Sequence, residues 1–174
     1  MEWQQILLYT LCILLSLYTI FFFYCLESLL TFRSRLKKRT KAIAVIFSEK
    51  KAILLSLFAW VETQGLNQEE AIRESAAKVR WLNLDTMKMK DIQSVAASLA
   101  DLQKRLLLFA NAHDLMQQDA FVRAHDGLSD LDANYRRTAA IFNSDVGGYE
   151  YWRKAPLFRL WFWIDGFRPI ARLA

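Results

Sequence analysis

The sequence predicts an all-α protein in which a single N-terminal transmembrane helix leads into an antiparallel bundle of long helices. Three observations predict it. The run Trp3–Leu26 holds no charged residue and supplies the roughly 20 apolar residues a helix needs to cross the hydrocarbon core. No proline precedes Pro156, and the whole chain has only 5 glycines, so little interrupts long helices. Beyond the run, apolar residues return at steps of three and four, the spacing of one helix face.

Residues 1–30 form the expected anchor. In lipid the backbone can satisfy its own hydrogen bonds only as a helix or a closed barrel, and a soluble core helix is rarely apolar on every side. A cleaved signal peptide fits poorly: no basic segment precedes the run, and no small-residue cleavage site follows it. Glu2 is the only charge before the run, whereas Arg33, Arg35, Lys37, Lys38, Arg39 and Lys41 follow it. The positive-inside rule then places the N-terminus outside and the long C-terminal part in the cytoplasm. The expected location is the cell membrane, crossed once. Trp3, Tyr9 and Tyr24 suit its aromatic belts. The basic block is expected to lie against anionic headgroups at about 1 kcal/mol per charge.

That block and the C-terminal arginines carry much of the net charge of +5. The pattern reads as attraction to a membrane surface, with membrane lipid as partner and no nucleic acid. Cys12 and Cys25 both lie inside the apolar run, so neither a disulfide framework nor a cysteine metal site is expected beyond it.

Residues 31–156 form the expected cytoplasmic bundle, with helices at roughly 31–64, 68–79, 86–112 and 118–154. In the first, Ile43, Phe47, Leu54, Leu57 and Val61 share a stripe with Lys41, Lys50 and Lys51 interleaved. With no Gly or Pro between them, one continuous helix through this segment and the anchor is allowed, and Gly65 is placed to end it. Asn67 and Glu70 have the spacing of a capping box for a short second helix with a thin apolar face. Trp81–Asp85 is a connector whose tryptophan and leucines are expected to fold back on the bundle.

Ile92, Val95, Leu99, Leu102, Leu106 and Phe109 alternate steps of three and four, the seam of a helix lying nearly parallel to its neighbours. The chain turns near His113–Asp114. Phe121, Leu128, Tyr135, Phe142 and Tyr149 then recur every seven residues, with Ala124, Leu131, Thr138 and Trp152 on companion positions. Gly147–Gly148 interrupts this pattern at about 1 kcal/mol per glycine relative to alanine. A kink or thinning is expected there, the alternative being close approach by another helix. After Pro156 comes the tail, 157–174, in which Trp161, Phe162 and Trp163 lie among arginines. It is too short to span, so it either docks on the bundle or lies in the headgroup interface.

Asp114-Leu115, Phe121, Leu128, Asn134, Arg137, Phe142-Asn143, Val146, Tyr149, Pro156 and Gly166-Phe167 resemble in order and spacing the C-terminal half of the LemA family. Upstream, Lys51, Ile53, Leu57 and Val61-Glu62-Thr63 look like that family's basic-apolar helix after its anchor. The resemblance covers most of the chain. Departures include Leu55-Ser56 for the family's Pro-Asn, Phe142 for a Tyr and Ala155 for the Phe of its Phe-Pro, marking a divergent member. The resemblance implies a membrane-anchored cytoplasmic helical bundle with no catalytic residues to carry over.

No catalytic, cofactor-binding or metal-ligating residue is expected. His113 and His125 straddle a turn without ligand spacing, and Asp126 and Asp130, at i,i+4, read as a solvated face. No phosphate loop, HExxH or serine elbow occurs. Asn134, Arg137 and Asn143, beside the seam, are read as an interhelical polar clamp or interaction site. The expected function is a non-enzymatic membrane-anchored scaffold or adaptor binding a protein partner or itself. The alternatives are an accessory subunit of a membrane enzyme, such as a protease or stress-response complex, and a metal-binding bundle.

Overall fold

The computed structural model describes residues 2–64, 70–154 and 168–173. Among them are four α-helices: α1 (Glu2–Thr63), α2 (Glu70–Arg80), α3 (Ile92–Ala112) and α4 (Asp119–Arg153). Two 3-10 turns, Met89–Asp91 and Leu115–Gln117, precede α3 and α4, and no strand occurs among the described residues. The apolar run and the stripe that follows it form one helix. Gly65, Asn67, Pro156 and the tail aromatics Trp161, Phe162 and Trp163 lie outside the described residues.

The chain divides into two compact units, residues 1–36 with 144–170, and residues 37–143 with 171–174. In the second and larger unit, α1 buries Ile43, Phe47, Leu54, Leu57, Phe58 and Val61. From α3 come Ile92, Val95, Leu99, Leu102, Leu106 and Phe109, and from α4 Phe121, Leu128, Leu131, Ala139 and Phe142. Each large apolar side chain so buried contributes about 1.5–3 kcal/mol. Tyr135 is half-buried, its ring 5.2 Å from that of Phe47.

Helix α2 has 11 residues, too few to be stable alone. It buries Ile72, Ala76 and Val79, and its charges follow the helix dipole, with Glu70 in the first turn and Lys78 and Arg80 in the last. Lys51 of α1 completes its C-terminal end. The ammonium donates to the carbonyl of Arg80 at 2.9 Å, which the helix cannot satisfy itself, and to that of Leu82 just beyond it at 2.8 Å.

The connector departs from the expectation that its tryptophan folds inward. Leu84 is buried, while Trp81 is 86% exposed. At the next turn, Asp114 takes a left-handed conformation, φ 55° and ψ 30°, which Asp and Asn tolerate better than most residues.

In the smaller unit, α1 displays Trp3, Ile6, Leu7, Leu8, Leu11, Ile13, Leu14, Leu15 and Leu17 to its surroundings. Its most apolar stretch reaches a mean hydropathy of 2.4 with none of it buried. Thr10, Ser16 and Thr19 each return their hydroxyl to the carbonyl four residues back, at 2.8 Å, so these polar atoms are satisfied within the helix. A core helix would be covered by protein, and this one is not. It is long and apolar enough to cross a membrane.

Farther along α1, Cys25 and Leu29 are buried, as are Val146 and Tyr149 of α4. At Gly148 the expected thinning gives way to close approach. A Cβ built there would lie 2.5 Å from Cε1 and Cζ of Phe32, so only a residue without a side chain admits that ring. Helix α4 continues through the glycine pair to Arg153.

Candidate functional site

A buried polar group in the larger unit is a lysine on an apolar seam. Lys50 follows Phe47 by three residues and precedes Leu54 by four, so helix geometry turns it toward the same packed side. It is only 7% exposed. Its ammonium is 2.5 Å from Oδ1 of Asp132 on α4, and Oδ2 of Asp132 accepts from Nε2 of Gln103 on α3 at 3.2 Å. One polar junction therefore draws on three helices. It lies at a cleft of about 310 Å³ whose walls include Phe47, Tyr135 and Arg136. Burial pushes the Tyr135 hydroxyl up from its ordinary pKa, so it remains a neutral donor near neutral pH.

A second junction joins α2 to α3. Buried Ser75 is 2.7 Å from Oδ2 of Asp101, the oxygen that also accepts from Nε of Arg105 at 2.9 Å. The Ser75 hydrogen bond and then the Arg105 pair hold Asp101 below the usual carboxylate range. In the smaller unit, Arg153 grips both oxygens of Glu150 at 2.7–3.0 Å. Burial pushes Glu150 up, but these bonds and the Arg153 charge outweigh it, and the net direction is down.

Asn134 and Arg137 are exposed on α4. On the packed side of α4, Asp132 makes a polar contact to α1 and α3. Tyr135 holds the seam position, so its neighbours one before and two after turn off the packed side at about 100° per residue. Asn143 bonds to the C-terminal segment and not to another helix among the described residues. Its amide donates to the Leu173 carbonyl at 2.9 Å and accepts from the Leu173 amide at 2.8 Å, beside the buried Leu173 side chain. Gln93 adds a bond to the Arg172 carbonyl at 2.9 Å.

The basic block Arg33, Arg35, Lys37, Lys38, Arg39 and Lys41 is exposed throughout. Asp126 and Asp130 are exposed too. Each histidine lies against the phenylalanine four residues earlier: His113 is 4.4 Å from Phe109, and His125 stacks on Phe121 at 6.3 Å. No three His, Cys, Asp or Glu side chains converge as metal ligands among the described residues.

A groove of about 620 Å³ lies on the surface of this unit between α1 and the segment after α2. Lys51, Leu55, Arg80 and Leu84 line it beside the exposed Trp81. Sequence reasoning missed the groove and the Lys50–Asp132 pair. For the pair, the signal was present in the unbroken 43, 47, 50, 54, 57, 61 spacing.

Compared with known proteins, the chain matches no family model, no curated protein and no solved structure.

Proposed function

We propose that this chain is a membrane-anchored helical scaffold or adaptor, a divergent relative of the LemA family. The observation that carries the reading is the contrast within α1. Its first part is apolar and uncovered on all sides, and past the exposed basic block its later part is packed in a helical unit. An apolar surface that large is unfavourable in water and natural in lipid. The basic block beyond the run supports an outside N-terminus with the remainder in the cytoplasm.

Contacts between α1 and α4 pair Phe47 with Tyr135, Lys50 with Asp132 and Ile53 with Gly127. Their falling α4 numbers support an antiparallel bundle. The ionisable groups within the packed unit act as connectors between helices, in keeping with a body that presents surfaces to a partner or to itself. The exposed Trp81 beside its groove favours the accessory-subunit reading, since exposed tryptophans are enriched among interface anchors.

Photocrosslinking in cells from position 81, and from the exposed Arg123 as a second site, tests both readings. Crosslinks to another copy of the chain, or to several partners, support the scaffold. One integral-membrane protein captured in constant ratio from position 81 supports the accessory subunit. Recovery of the chain in the soluble fraction after gentle lysis would overturn both.

A further inference from the structure

Where the apolar run of α1 ends, its residue types change abruptly. Glu27, Thr31 and Arg35 follow at i, i+4 and i+8, one polar line of about two turns on a single face. With Ser28, Tyr24 and, from α4, Trp152, they surround a cleft of about 330 Å³. All these residues belong to the smaller unit. The rings of Tyr24 and Trp152 meet edge to face at 5.6 Å, at the level where aromatic residues anchor a spanning helix.

Three features mark the cleft as a binding site. Glu27 makes no ion pair among the described residues, and the Arg35 guanidinium folds back over the Phe32 ring, 5.5 Å from its centre. Phe32 is itself held against Gly148, so the cation is oriented on a fixed surface. Thr10, Ser16 and Thr19 spend their hydroxyls on their own helix, whereas Ser28 and Thr31 donate to no carbonyl among the described residues. The cleft thus offers one carboxylate, one guanidinium, two hydroxyl donors and two aromatic rings.

We propose that this cleft binds the headgroup of a phospholipid carrying a primary ammonium beside its phosphodiester, the chemistry of phosphatidylethanolamine. The ammonium takes the Glu27 carboxylate as acceptor and the Tyr24 and Trp152 rings as cation–π partners. The phosphate takes the Arg35 guanidinium and the Ser28 and Thr31 hydroxyls. The charges of the site match a zwitterion, whereas the rest of the basic block farther along α1, Lys37, Lys38, Arg39 and Lys41, matches any anionic surface. The proposal rests on the membrane-anchor reading and adds to it a headgroup preference.

The test uses the full chain in nanodiscs of equal parts phosphatidylethanolamine, phosphatidylcholine and phosphatidylglycerol, with retained lipids identified by native mass spectrometry. Phosphatidylethanolamine is expected to be enriched over the other two. Glu27→Gln, which loses a charge-assisted bond, should lower that enrichment about tenfold. Arg35→Gln should lower retention of all three lipids alike, because the phosphate is common to them. Equal retention of the three by the wild-type chain, a preference for phosphatidylglycerol, or an unchanged Glu27→Gln profile would each overturn the proposal. Carbonate extraction of native membranes separates the two levels. A chain released by carbonate refutes the anchor itself, whereas a retained chain without headgroup preference refutes only the cleft.

Discussion

Removing Asp132 should harm this protein much more than removing Lys50, although the two form one ion pair. The side chain of Lys50 is 9% exposed and that of Asp132 30%. Asp132→Ala strands an ammonium where water scarcely reaches, and Gln103, which donates to Asp132, is left without its acceptor. Breaking a buried pair this way costs about 3–5 kcal/mol when both groups are fully buried. With Asp132 partly solvated, about 2–4 kcal/mol is expected here.

Lys50→Met instead removes the buried charge and keeps the apolar stem against the seam. Asp132 retains water and the Gln103 amide, so the cost should stay within about 1 kcal/mol of zero, of either sign. Thermal unfolding of the full chain in detergent micelles, followed by circular dichroism, measures the asymmetry. At about 4 °C per kcal/mol for a unit of this size, Asp132→Ala should lower Tm by about 8–16 °C and Lys50→Met by no more than about 4 °C. Asp132→Asn, which preserves an acceptor, should fall between them. Equal losses for Asp132→Ala and Lys50→Met, or a larger loss for Lys50→Met, would refute the burial argument.

Gly148→Ala sets a helix-propensity gain of about 1 kcal/mol against overpacking on Phe32 of about 1–3 kcal/mol, so it should destabilise. In a Phe32→Ala background the same change should stabilise, and a melt series of the four proteins reads the reversal. Gly127→Ala meets only the tip of Ile53 at 3.3 Å, which can move aside, so Tm should rise by up to about 4 °C. Asp114→Gly relieves the left-handed strain of about 1 kcal/mol and should raise urea resistance slightly. Asp101 and Glu150 are both held below their ordinary pKa values. The stability they contribute is therefore complete above their unfolded pKa values and lost as pH falls through the folded ones. Titrating Tm downward from pH 6 should show this loss, and Asp101→Asn should flatten part of it.

The packed seams were legible because burial follows helical period. Ile43, Phe47, Leu54, Leu57 and Val61 are all buried, as are Ile92 through Phe109 at their alternating steps. Lys50 was hidden by residue type, because a lysine between apolar neighbours reads as solvated unless its phase is followed, and phase alone names no partner across the seam. Asn134 and Arg137 show the converse. They flank the seam in sequence, yet a helix carries such neighbours off its packed side. Gly148 gave no sign of Phe32, since a glycine in a periodic run looks the same whether it weakens the helix or admits a ring. Trp81 failed for a related reason. Connector direction is set by backbone turns, and here they bring Leu84 inward and leave the larger side chain outside.

Lys51 and Ser75 give α2 a particular place in the order of assembly. The helix is too short to persist unaided, its final carbonyl, that of Arg80, is satisfied by a side chain from α1, and its buried hydroxyl bonds to α3. Its bonds reach both neighbours, whereas the Lys50–Asp132–Gln103 junction uses none of its residues. Amide protons of α2 should accordingly exchange earlier than those of α3. Trp81 directly follows this helix, so a partner that grips the tryptophan would also hold in place the helix that leans most on its neighbours.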